Sequence, residues 1–137
     1  MHILVTDTAS AEDVAAIGSQ LSAFNEQDVG PADRRALSVL VKAPDGTLAA
    51  GLNGYTAWGW LYVQWLWVGE SLRGQGLAGQ MLQAAEDEAR ARGCGAAFID
   101  TFNPAAKKAY RRQGYEVFGE LANFPAGRRR TFLQKRL

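Results

Sequence analysis

The chain is predicted to fold as an α/β (α+β) domain in which helices flank a mixed sheet. Three observations carry this expectation. Short apolar segments alternate with amphipathic stretches of helical period in the order β α β β β α β α β β. The richest apolar segment, residues 58–68, carries apolar side chains on both faces, as a central strand does. The 137 residues, 47% of them hydrophobic and 21% charged, can bury one core and leave no room for a second, so residues 1–137 are expected to form a single domain.

Residues 2–6 read as a short strand. Ser10 followed by Asp13 marks a capped helix start, with Val14, Ile17 and Leu21 on one helical face. Residues 24–35 are polar and contain Gly30-Pro31, which breaks any single helix there and leaves the region for substrate loops. Leu37, Val39 and Val41 alternate with Ser38 and Lys42; Pro44-Asp45-Gly46 and the apolar residues 48–52 complete a hairpin, and Asn53-Gly54 reads as a second turn. Strict alternation through 58–68 places Trp60, Tyr62, Leu66 and Val68 on one face and Leu61, Val63, Trp65 and Trp67 on the other, both covered.

Leu77, Met81, Leu82, Ala85 and Ala89 recur at helical spacing opposite Glu86, Glu88, Arg90 and Arg92, and Gly93 ends that helix. Residues 96–101 form another short strand. Asn103-Pro104 is a helix start, with Asn capping and Pro at the first position, and Gly114 closes the helix. Residues 115–121 and 129–137, joined by Phe124-Pro125-Ala126-Gly127, make a final hairpin.

Composition narrows the function. The longest apolar stretch, residues 55–68, is interrupted by Thr56, Gly59 and Gln64 and falls short of the ~18 residues of a membrane span. The N-terminus shows no basic region followed by an apolar one, so a cytoplasmic setting without a secretory signal is expected. One cysteine, Cys94, and one histidine, His2, exclude an intrachain disulfide and a Cys/His metal cage, and a Ser/His/Asp triad would have to use His2 at the chain end. No metal is therefore expected. From Pro104 onward nine basic residues face only two acids, Glu116 and Glu120. No aromatic is interleaved with the arginines, which favours a small polyanion or a solvated face over nucleic acid.

Residues 73–79, RGQGLAG, join the apolar strand to the next helix. Glycines at 74, 76 and 79 let main-chain N–H groups approach a ligand, and the helix turns its positive end toward the same place, so the loop reads as an anion cradle. Plain turn chemistry is the simpler account of such glycines. The same three glycines also spell the dinucleotide fingerprint, with Asp100 at the end of the following strand, but the 37 residues after Asp100 are too few for the second half of a doubly wound sheet.

Residues 68–78, VGESLRGQGLA, resemble the acetyl-CoA signature of the GNAT superfamily of N-acetyltransferases, and Asn103, Ala106, Tyr110 and Gly114-Tyr115 resemble its second block at the same spacing. The resemblance implies a GNAT-like, mostly antiparallel central sheet flanked by helices. It implies transfer of acetyl from acetyl-CoA to a primary amine of a small molecule, peptide or protein by direct attack, with neither metal nor acyl-enzyme. On this basis main-chain groups of Leu66, Trp67 and Val68 pair with the pantetheine arm and stabilise the thioester oxygen. Amides of Gln75, Gly76, Leu77, Ala78 and Gly79 hold the pyrophosphate, with Gly74 in the loop and Arg73 beside it. Asn103 lies near the pantetheine, and Tyr110 hydrogen-bonds or protonates the departing thiolate. Lys107 and Arg111 are candidate extra phosphate contacts, and a homodimer is a reasonable assembly.

Asn103 also has a sufficient structural role as a cap, and Tyr110 as a core aromatic. Many relatives use a glutamate on the central strand as base. Here that strand offers Tyr62 and Gln64, its nearest carboxylate is Glu70, and Glu26, Asp28, Asp100 or a water relay are alternatives, so no base is assigned. The missing strand carboxylate makes an acyl-CoA-binding module without catalysis the main rival, with a nucleotide-binding oxidoreductase third.

Overall fold

The computed structural model describes all residues 1–137, and their contacts divide them into two units, Met1–Ala32 and Asp33–Leu137. In the first unit, helix α1 spans Ala11–Val29. Ser10 caps it as expected, its Oγ accepting from the Asp13 N–H at 3.0 Å. One expectation is corrected here: residues 2–6 form no strand and pair with no sheet. The polar stretch from residue 24 breaks the helix at its Gly30-Pro31, as expected, although Glu26, Gln27 and Asp28 are still compatible with helical backbone. The helix runs on to Val29 and stops at Gly30, where the proline at 31 disfavours helical geometry in the residue before it. Neither this helix nor any other is long and apolar enough to cross a membrane.

The second unit is a six-stranded sheet with two helices. Its strands are β1 (Arg35–Lys42), β2 (Leu48–Ala57), β3 (Trp60–Val68), β4 (Ala96–Thr101), β5 (Glu116–Ala122) and β6 (Arg129–Arg136). They lie in the order β1-β2-β3-β4-β6-β5, and only the β3–β4 pair is parallel. Helix α2 (Leu77–Ala91) and helix α3 (Pro104–Arg112) pack on one face. The core between them gathers Leu37, Leu52, Leu61, Val63, Leu82 and Leu133, each buried. Burying such a side chain contributes about 1.5–3 kcal/mol.

Asn53-Gly54 is not a turn; it lies inside β2. The turn falls at Trp58-Gly59, with φ of 47° and 75°, the left-handed pair that a two-residue hairpin needs. Gly54 serves another purpose. A Cβ there would overlap the Tyr62 carbonyl, so glycine lets β3 press against β2 where the register slips between Asn53 and Gly54. Gly54 opposes Val63 while Asn53 opposes Trp65, leaving Gln64 as the extra residue of a bulge.

That bulge changes the faces of β3. Beyond Gln64 the alternation inverts, so Leu61, Val63, Leu66 and Val68 all face the helices, and Trp60, Tyr62, Trp65 and Trp67 share the other side. The expectation that both faces are covered is corrected: on the second face Trp60, Trp65 and Trp67 retain 40%, 66% and 50% of their exposure.

The polar side of α2 is also corrected. Glu86 is fully buried, because it lies four residues from Leu82 on the inward stripe. Its Oε1 accepts from Lys135 Nζ at 2.6 Å and its Oε2 from the Tyr115 hydroxyl at 3.0 Å. Burial first, then the Glu86 charge and hydrogen bond, push the Tyr115 phenol well above its usual range. Arg92 turns inward too, its Nη1 donating to Thr56 Oγ1 at 3.1 Å.

Candidate active site

The site begins where β3 and β4 part. Their parallel pairing joins Trp60, Leu61, Tyr62 and Val63 to Ala96, Ala97, Phe98 and Ile99 and goes no further. Residues 64–68 therefore keep a strand edge unmatched by β4, while β2 still pairs their other side. An edge of this kind presents main-chain donors and acceptors to an extended ligand carrying amides of its own. The split follows from the bulge: an extra residue bends and twists β3 away from its parallel neighbour.

The strand leads directly into the glycine loop. A 3-10 turn at Glu70–Leu72 follows Val68, and Arg73 folds back so that its Nε donates to the Val68 carbonyl at 3.0 Å. Gln75 Nε2 donates to the Ser71 carbonyl at 3.2 Å, holding the loop from within. Gly74 and Gly76 take φ of 76° and 75°, and a Cβ at either would meet nothing within 4 Å. Glycine is needed there for conformation and not for space. No side chain caps α2 and no acid lies in its first turn, so the N–H groups of Leu77, Ala78 and Gly79 and the positive end of the helix are available to an anion.

An open cavity of 660 Å³ flanks this loop on the side of Leu48 and Trp67. Its lining carries the carboxylate of Glu70 and no cation, which suits a diphosphate poorly. The helix terminus is the better anion site.

On the far side of the split, Asn103 caps α3: its Oδ1 accepts from the Ala105 and Ala106 N–H groups at 2.9 and 3.1 Å. That work occupies the side-chain oxygen. Tyr110, one turn from the end of α3, is buried at 4% exposure, and its hydroxyl makes no hydrogen bond to the rest of the chain. Burial, then the charge of Asp100, push its phenol up to about 12. Lys107 is paired to Glu120 at 3.1 Å, which draws it toward β5. Arg111 is exposed.

Tyr62 and Asp100, both candidates from the sequence, are joined here by Arg130, which the sequence did not single out. Asp100 is 9% exposed in its side chain, with Oδ2 at 2.7 Å from Arg130 Nε and 2.6 Å from Nη2. The Tyr62 ring stacks on Phe98 at 4.5 Å, and its phenol is raised by burial and by Asp100. Residues far apart in the chain make this cluster, so no local motif announces it.

A profile of the Acetyltransferase (GNAT) family matches residues 10–115. The chain is 44% identical to acetyltransferase Atu2258 of Agrobacterium fabrum over 136 residues, 99% of each protein. It is 37% identical over 93 residues to the blasticidin-S acetyltransferase of Streptomyces morookaense, covering 67% of this chain and 68% of that one. A crystal structure from Agrobacterium tumefaciens, 44% identical, superposes over 100% of both chains with a TM-score of 0.95. The chain belongs to the GNAT acetyltransferase family. Acetyl-CoA is the acyl donor of that family.

The residues fit such a donor. The strand edge at 64–68 matches the amides of an extended arm, and the α2 terminus with its two left-handed glycines matches a diphosphate.

Proposed function

We propose that the protein is an N-acetyltransferase that moves the acetyl group of acetyl-CoA to a primary amine by direct attack. The observation that carries this reading is the unmatched β3 edge running without interruption into the glycine loop and the α2 N-terminus. One continuous track thus offers amide pairing and then anion binding.

Acetyl-CoA supplies an activated acetyl thioester. The main chain of Leu66, Trp67 and Val68 holds the arm and directs an N–H at the oxygen that becomes negative. Amides of Gln75, Gly76, Leu77, Ala78 and Gly79 bind the diphosphate, with Gly74 shaping the loop and Arg73 beside it. Asn103 acts through the α3 cap, fixing the start of the helix that carries Tyr110. Tyr110 donates a hydrogen bond to the departing thiolate. An amine attacks in its uncharged form, since a protonated amine near pKa ~10.4 has no lone pair to offer. We take the whole chain to work as one catalytic domain in the cytoplasm, with a homodimer as the expected assembly.

Isothermal titration with acetyl-CoA, followed by thiol release on a panel of amines that includes blasticidin-S and lysine-bearing peptides, tests the reading. Saturable binding with amine-dependent thiol release is expected. Binding without release would favour an acyl-CoA-binding module. Tight NAD(H) binding with no response to acetyl-CoA would favour an oxidoreductase.

A further inference from the structure

The last pair of the β3–β4 ladder is Val63 with Ile99, and Asp100 is the next residue on β4. It therefore sits at the mouth of the split. It faces the side that carries Tyr62 and Phe98, opposite the helix side where Leu61, Val63 and Ile99 are buried. Both Arg130 contacts fall on Oδ2, so Oδ1 lies outside the ion pair. Arg130 is itself held, its guanidinium 4.8 Å from the Phe124 ring and 5.8 Å from the Phe132 ring. The Asp100 charge raises the Tyr62 phenol on β3, which is also close enough to hydrogen-bond the carboxylate, and the Tyr110 phenol on α3.

We propose that Asp100, oriented by Arg130, is the acceptor-side residue of the transfer: Oδ1 accepts an N–H from the incoming primary amine and holds its lone pair toward the split. This rests on the N-acetyltransferase reading above. A carboxylate is an acceptor only, and a primary amine keeps its lone pair after donating one N–H to it. Arg130 keeps the local charge balanced, so the site suits the neutral, nucleophilic form of the amine. Tyr110 and Asp100 then flank the reacting atoms, one on the sulfur side and the other on the nitrogen side.

The test is Asp100→Asn in the full chain, with the double variant Asp100→Asn/Arg130→Gln to remove the unpaired guanidinium that the single change leaves behind. Three readouts are needed: unfolding midpoint, acetyl-CoA affinity by titration, and kcat and KM for the best amine of the panel. Both variants are expected to lose about 10²-fold in kcat/KM for the amine, as misplaced reactants do, with acetyl-CoA affinity within about twofold of wild type. The double variant is expected to recover stability without recovering activity. If its activity returns with its stability, Asp100 is only a structural partner of Arg130 and the proposal falls. Unchanged kcat/KM in the single variant overturns it equally. A wild type that binds acetyl-CoA but acetylates no amine overturns the parent reading, and this one with it.

Discussion

Replacing Tyr110 by Phe separates catalysis from packing with one oxygen atom. The ring is buried in the core beneath α3, while the hydroxyl has no partner in the chain, so its removal breaks no hydrogen bond and costs less than about 1 kcal/mol of stability. The magnitude for catalysis follows from the raised phenol. With Tyr110 near 12 and a thiol near ~8.5, complete proton transfer to the thiolate is uphill by about 5 kcal/mol. Tyr110 therefore works as a hydrogen-bond donor to a developing charge, which is worth about 1.5–3 kcal/mol. Turnover should fall roughly 10- to 150-fold at 1.36 kcal/mol per decade. Thiol release measures kcat, titration measures acetyl-CoA affinity, and a thermal scan measures folding. The expected pattern is a lower kcat with unchanged affinity and midpoint. Unchanged kcat refutes the role of the hydroxyl, and a loss of kcat matched by a loss of stability refutes the separation of catalysis from packing.

Three further outcomes follow. Glu86→Ala leaves the Lys135 ammonium without its counter-charge, bonded only to the Gln113 carbonyl, and the Tyr115 hydroxyl without its acceptor, and should destabilise by about 3–5 kcal/mol in urea, whereas Glu86→Leu/Lys135→Met should recover most of that; a loss below about 1 kcal/mol would show that the buried pair is not structural. Gly76→Ala forces a Cβ into left-handed backbone at about 1–2 kcal/mol and should weaken acetyl-CoA binding at least about tenfold, with Gly76→Asn retaining more; equal binding by the alanine variant would remove the anion cradle. Tyr110 and Tyr115 have folded pKa values raised above the unfolded ~10, chiefly because burial penalises the phenolate, so stability is level below pH 10 and falls as pH rises toward 12 and beyond. The Tyr110 share of that fall is about 3 kcal/mol once pH passes 12, and urea midpoints from pH 8 to 11.5 should fall less steeply in Tyr110→Phe.

Local chemistry was legible in the chain. Ser10 and Asn103 were recognisable as caps because a cap needs only a few neighbouring residues, and the glycines at 74 and 76 because positive φ is a property of single positions. The mixed sheet and the hairpin at 116–136 followed from element order.

Pairing decided the rest. A sequence read with strict alternation places Trp65 and Trp67 beside Leu61, but one bulge residue, Gln64, reverses every side chain after it and opens the split from β4. Gly54 looked like a turn because the carbonyl that needs its missing Cβ belongs to Tyr62, on another strand. Glu86 looked solvated because its partners, Tyr115 and Lys135, are 29 and 49 residues away. Asp100 met Arg130 only through the β4–β6 ladder. The sequence by itself determined the helix caps, the loop glycines at 74 and 76 and the order of the elements after residue 10, since these depend on short-range backbone preference. Which strand edge stays unmatched, and which charges meet there, depends on register between distant segments, and only the tertiary structure sets that register.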